Sequence, residues 1–169
     1  MTVAETERLA LRRLARGDEG FILALLNSPG FIRNIGDRGV RTLDDAWGYI
    51  ARSAIASYDS NGFGLYRTAL KDSGAPIGIC GLVKRDGLDA PDLGFAFLEP
   101  YWRRGYAVEA SRAVLRHARD DLGLTRLLAI TAPRNAGSIA VLEKLGFRFV
   151  NTIRLPAHDD DSRLFEIAL

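Results

Sequence analysis

The stretch Gly94 to Ala118, GFAFLEPYWRRGYAVEASRAVLRHA, holds residue types that suit the grip of a diphosphate. The amino end of a helix presents unpartnered backbone N–H groups and a partial positive charge. Gly105 permits a tight turn and a close ligand, and Ala107 keeps its side chain short. Arg103 and Arg104 add cations beside that helix-end cradle of N–H groups. Just upstream, Pro100 cannot donate to a sheet ladder, so regular pairing ends there and the backbone of Phe97 and Leu98 is left to bond an extended ligand. A second group lies at the head of RNAGSIAVLEKLGF, where Asn135 and Ser138 sit one helical turn apart after an apolar strand and can face the same ligand.

The elements that position these groups follow from periodicity. RLALRRL reads as a first strand, Asp18 stands where an N-cap would open the apolar stretch Phe21 to Leu26, and Asn27, Pro29 and Gly30 close that helix. Phe31 to Arg41 has no clear period and reads as a polar connecting loop. Thr42 and Asp45 have capping-box spacing for a second helix reaching about Tyr58. The period then falls to two. FGLYRTAL and PIGICGLVKR form a hairpin around KDSGA, and Leu93 to Leu98 makes a third strand of the meander. A helix from Gly105 to Asp121 carries Ala107, Ala110, Ser111, Val114, Leu115 and Ala118 on one arc and charged residues on the other. TRLLAIT is a buried strand, Gly146 ends the helix that follows it, and FRFVNTI and RLFEIAL bracket the acidic turn HDDDS. The expected fold is α+β: one mixed, mostly antiparallel seven-stranded sheet flanked by four helices, spanning residues 1–169 as a single domain.

Composition narrows the function. A net charge of +2 lacks the clustered basic excess of a dedicated nucleic-acid binder. The single cysteine, Cys80, excludes an internal disulfide, and two histidines leave little for a metal site, so no metal is expected. The N-terminal stretch MTVAETERLALRRL carries early acids and no unbroken apolar run, which points away from a signal peptide or membrane anchor and towards a cytoplasmic protein.

PYWRRGYAVEA and NAGSIAVLEKLGF, in this element order, resemble the GNAT superfamily of acyl-CoA-dependent N-acetyltransferases, and within it the Rim-type ribosomal-protein N-terminal acetyltransferases. The family's phosphate loop, Gln/Arg-x-x-Gly-x-Gly/Ala, falls on Trp102 to Ala107, with Trp102 departing from the first position. The resemblance implies an acyl-CoA N-acyltransferase fold with splayed central strands and acetyl-CoA as co-substrate. It implies that the N–H groups of Arg103 to Ala107 hold the pyrophosphate, and that Phe97, Leu98 and Asn135 bind the pantetheine arm. Ser138 takes the position of a proton donor to the leaving thiolate; from its place in the first turn it could equally cap its helix. The chain is expected to be a monomer or homodimer acting on a small-molecule or peptide amine.

The general base is open among Asp37, Asp92, Glu99 and water. His158 beside three aspartates could favour a cationic amine or merely mark a charged hairpin tip, while His117 and Cys80 read as structural. Trp47, Tyr49, Tyr58, Phe63 and Tyr66 could wall an acceptor pocket, although core packing explains most of that set. The alternative to an enzyme is a non-catalytic acyl-CoA sensor. A nucleotide binder is disfavoured by the lack of a Walker or dinucleotide glycine pattern.

Overall fold

The computed structural model describes residues 2–169. Eight strands form one sheet: β1 (Thr2–Glu5), β2 (Leu9–Arg13), β3 (Leu65–Leu70), β4 (Pro76–Val83), β5 (Asp92–Phe97), β6 (Arg126–Thr131), β7 (Arg148–Ile153) and β8 (Ser162–Ala168). Their order is β1-β2-β3-β4-β5-β6-β8-β7. Every neighbouring pair is antiparallel except β5 and β6, which are parallel. The seven expected strands are all present, and β1 adds an eighth at the edge. Its four residues are too few for alternation to be read from sequence.

The helices are α1 (Glu19–Leu26), α2 (Pro29–Asn34), α3 (Leu43–Tyr49), α4 (Ala56–Asn61), α5 (Tyr106–Asp120) and α6 (Ala136–Leu145). A π-helical turn, Ile50–Ile55, joins α3 to α4 without a break, so the expected second helix runs from Leu43 to Asn61. Its start is the expected capping box: Thr42 Oγ1 accepts from the Asp45 N–H at 3.0 Å, and Asp45 Oδ2 accepts from the Thr42 N–H at 3.2 Å. Asp18 stands at the N-cap position of α1 but does not cap it. Its carboxylate instead accepts from Arg12 through both oxygens at 2.8 Å and from the Ala15 N–H. Pro29 and Gly30, expected to close the first helix, instead open α2, which runs to Asn34 into the expected loop Phe31 to Arg41.

Helix α5 packs along one face of the sheet, with Ala110, Ser111, Ala113, Val114 and Ala118 buried. Ser111 Oγ lies 3.6 Å from Cys80 Sγ. The π turn and α4 line a cleft together with residues of β4 and β5.

Candidate active site

Strands β5 and β6 meet at a single pair, Asp92 with Leu128, and then diverge. Alternation along β5 decides what the divergence exposes. The Leu98 N–H donates to the Ile77 carbonyl at 2.9 Å, so even-numbered residues of this strand bond to β4. Odd-numbered residues face β6, where the Leu128 N–H takes the Pro91 carbonyl at 2.9 Å and pairing then stops. The main-chain groups of Phe95 and the N–H of Phe97 therefore open into the gap. This corrects the expectation for Leu98, whose N–H is committed to β4. The Phe97 carbonyl is also taken, by Trp102 Nε1 at 2.7 Å.

That bond gives the departing residue of the loop motif a role. The Trp102 ring lies against Gly30 of α2, where an added Cβ would stand 2.5 Å from Cη2. Trp102 thus ties the loop to β5 and to α2. The loop then enters α5 through two left-handed residues, Arg103 at φ 60° and Gly105 at φ 82°. Arg103 is the sole non-glycine with positive φ among the described residues, a conformation that costs an L-residue about 1 kcal/mol or more. No side chain caps α5, so the first-turn N–H groups of Tyr106, Ala107 and Val108 are unpartnered by their own helix. Arg8 braces the loop from outside, with Nη1 donating to the Arg104 carbonyl at 3.2 Å, Nε to Glu109 at 2.8 Å, and its guanidinium 4.3 Å from the Tyr106 ring centroid. Arg103 and Arg104 are exposed and form no ion pair among the described residues.

On the far side of the gap, Asn135 is the N-cap of α6 and its Oδ1 accepts from the Ser138 N–H at 3.2 Å. The cap is therefore Asn135, and the Ser138 hydroxyl makes no hydrogen bond among the described residues. Both residues line the cleft. So does Thr131, a residue that sequence reading passed over. It ends β6, is only 7% exposed, and its Oγ1 has no partner. A buried hydroxyl left without a bond costs about 1–3 kcal/mol, which makes Thr131 a candidate for contact with a ligand in the cleft.

Of the three carboxylates considered as general base, Asp92 alone lines the cleft. Asp92 lies at the vertex of the divergence, 1% exposed, with both oxygens 3.1 Å from Arg85 Nε. Burial raises its pKa to about 6 against the pull of Arg85. Asp37 is exposed, lies outside the cleft lining, and is held below the usual carboxylate range by Arg41 at 2.6 Å and the Gly39 N–H. Glu99 also lies outside it, with Oε1 buried beside Gly30. His158 lines the cleft, and its pKa is lowered first by burial and then by Arg85 and Arg38. His117 is remote, between the Tyr66 hydroxyl at 3.3 Å and Asp121 at 2.7 Å. Cys80 is fully buried, which pushes its thiol up to about 12. Of the five aromatics offered as pocket walls, Tyr49 alone lines the cleft; Tyr58, Phe63 and Tyr66 are buried in the core.

The cleft encloses about 990 Å³, enough for an extended ligand and an acceptor together. Among the described residues there is no group of three or more metal-ligating side chains, and no helix long and apolar enough to cross a membrane.

Comparison with known proteins agrees with this geometry. Residues 8–148 match the model of the Acetyltransferase (GNAT) domain. The N-acetyltransferase YoaA of Bacillus subtilis is 26% identical over 154 residues, covering 90% of this chain and 86% of its own. An acetyltransferase of Agrobacterium tumefaciens superposes with a TM-score of 0.83 at 28% identity, over 99% of this chain and 94% of the other. RimL, a ribosomal-protein alpha-N-acetyltransferase solved with coenzyme A, shares the fold with a TM-score of 0.85 at 13% identity, over 100% of this chain and 98% of its own. With the matched domain covering most of its length, the chain belongs to the GNAT acetyltransferase family.

Proposed function

We propose that the protein, acting as one domain, is an acetyl-CoA-dependent N-acetyltransferase of the Rim-type branch that acetylates an amine by direct transfer in a ternary complex. The observation that carries this reading is the divergence of β5 from β6 beside the uncapped start of α5. An extended arm fits the first feature as an added strand, and a diphosphate fits the second. The N–H groups from Arg103 to Ala107 hold the diphosphate, with Arg103 and Arg104 as secondary cations. Phe95 and Phe97 bond the pantetheine arm through their main chain, joined by Asn135 Nδ2, whose Oδ1 is occupied by the cap. The orphan Thr131 hydroxyl is satisfied in the same gap.

Acetyl-CoA supplies an acyl group activated as a thioester, and the products are the acetylated amine and free CoA thiol. The Phe95 N–H, free of any strand partner, is aimed where negative charge develops on the acyl oxygen. Asp92, on the acceptor side and raised by burial towards neutrality, takes the proton lost by the amine nitrogen. Ser138 returns a proton to the departing sulfur; its hydroxyl is available because Asn135 does the capping. A buried free thiol at Cys80 suits a reducing cytoplasm.

The test is CoA thiol release from acetyl-CoA across a panel of amines, with both substrates varied. Intersecting initial-rate patterns support direct transfer. Tight acetyl-CoA binding without turnover on any amine makes the protein a sensor instead.

A further inference from the structure

Building on the acetyltransferase reading, we propose that the accepted amine carries an anionic group, a carboxylate or a phosphate, seated on a cationic wall made by Arg33, Arg38, Arg52 and Lys84. These four residues come from α2, the loop after it, the π turn and the position just past β4, yet all line the one cleft. None forms an ion pair among the described residues. Arg134, in the same cleft lining, is likewise without an ion pair among the described residues, whereas Arg85 beside them is held by Asp92.

Gathering like charges in a concave surface costs free energy that an incoming anion offsets, and a cleft focuses their field. The room for Arg52 is provided by a neighbouring residue. Its guanidinium lies back over Gly48, where a Cβ would stand 2.8 Å from Nη1, so a larger residue there would push it away. His158, on the loop between β7 and β8, feels both signs: after burial, Arg85 and Arg38 lower its pKa and Asp159 raises it.

The acids in the same cleft do not cancel this wall. Asp92 is held by Arg85 and Asp161 by Arg154, which leaves Asp159 and Asp160 on the loop between β7 and β8. The wall therefore carries four cations, and the cleft two carboxylates, without ion pairs among the described residues, all of them exposed. A substrate that enters as an ammonium with an anionic group matches both. An amine without an anion meets four uncompensated cations.

Matched acceptor pairs test this, read by CoA thiol release. One arm sets each amino acid against its decarboxylated amine, and the other sets glucosamine 6-phosphate against glucosamine. In at least one arm the anionic member is expected to have the higher kcat/KM by tenfold or more, and the arm identifies whether carboxylate or phosphate is recognised. Arg52→Ala and Arg33→Ala should shrink that preference several-fold by raising KM for the anionic member, with Arg52→Lys restoring part of it and CoA affinity as in the wild type. Neutral members used as well as or better than anionic ones in both arms, or a preference untouched by Arg52→Ala and Arg33→Ala combined, overturns the inference and leaves the acetyltransferase reading standing. If a protein that binds acetyl-CoA acetylates no member of either arm, the enzymatic reading falls and this inference falls with it.

Discussion

The indole Nε1 of Trp102 donates to the carbonyl oxygen of Phe97 at 2.7 Å, and the same ring rests on Gly30 of α2. One side chain therefore fixes the spacing between the loop that enters α5 and the strand that borders the gap. Gly30→Ala places a Cβ 2.5 Å from the ring and must displace it. We expect a loss of about 1–3 kcal/mol in stability, typical of overpacking, together with weaker CoA binding. Chemical denaturation and calorimetry measure the two. Unchanged CoA affinity in a destabilised Gly30→Ala protein would remove Trp102 from the positioning of the site.

Thr131→Val should separate stability from function. The hydroxyl is buried and bonds no other group of the protein among the described residues, so its removal is expected to raise the melting temperature, at roughly 2–4 °C per kcal/mol for a chain of this size. The same change should reduce the further rise that CoA produces. A variant that is less stable without ligand, or equally stabilised by CoA, contradicts the role given to this hydroxyl.

Asp92 sets a pH dependence. Its pKa in the folded protein is about 6, above the 3.8 of an unperturbed aspartate, so as a base it loses activity as pH falls through about 6, and kcat/KM should drop on the acid side there. Between about 4 and 6 the folded state binds more proton than the unfolded chain, so the contribution of Asp92 to stability is greatest below that window and is lost as pH rises through it. Arg85 is the charged group that opposes burial in this titration. Asp92→Asn should abolish the acid limb along with most of the rate while leaving the protein folded at pH 7. An acid limb that persists in Asp92→Asn assigns the base elsewhere.

Ser138→Ala tests proton return to sulfur. Because Asn135 caps α6, the substitution should leave thermal stability nearly unchanged and CoA affinity intact, while turnover falls by about 10²–10⁴-fold. Turnover within a few-fold of wild type would leave Ser138 with only a binding or structural part.

The sequence carried the joint between β5 and α5 because glycine, proline and paired arginines have strong local meanings, and the periods of two and 3.6 gave the element order. What it hid depends on partners. Whether Phe95 or Leu98 faces the gap is a matter of strand register, which Ile77 and Leu128 decide from distant positions. α2 was hidden because Gly30 weakens its helical pattern, and that glycine is there to admit Trp102. Thr131 sent no signal at all, since a threonine ending a strand looks the same whether or not its hydroxyl finds a bond. Asp92 could be named from its place at the head of the strand, but Arg85 and the burial that distinguish it from Asp37 and Glu99 belong to the folded state.

Calorimetric titration of acetyl-CoA into the wild type and Gly105→Val, with ATP titrated in parallel, tests the central claim most directly. Gly105 is left-handed at φ 82°, and a branched side chain there both strains the loop and crowds the N–H cradle. We expect one acetyl-CoA per chain on the wild type, affinity lower by tenfold or more in Gly105→Val, and no comparable binding of ATP. ATP bound as tightly as acetyl-CoA, or acetyl-CoA bound equally by the variant, contradicts the assignment of this gap to the acyl donor.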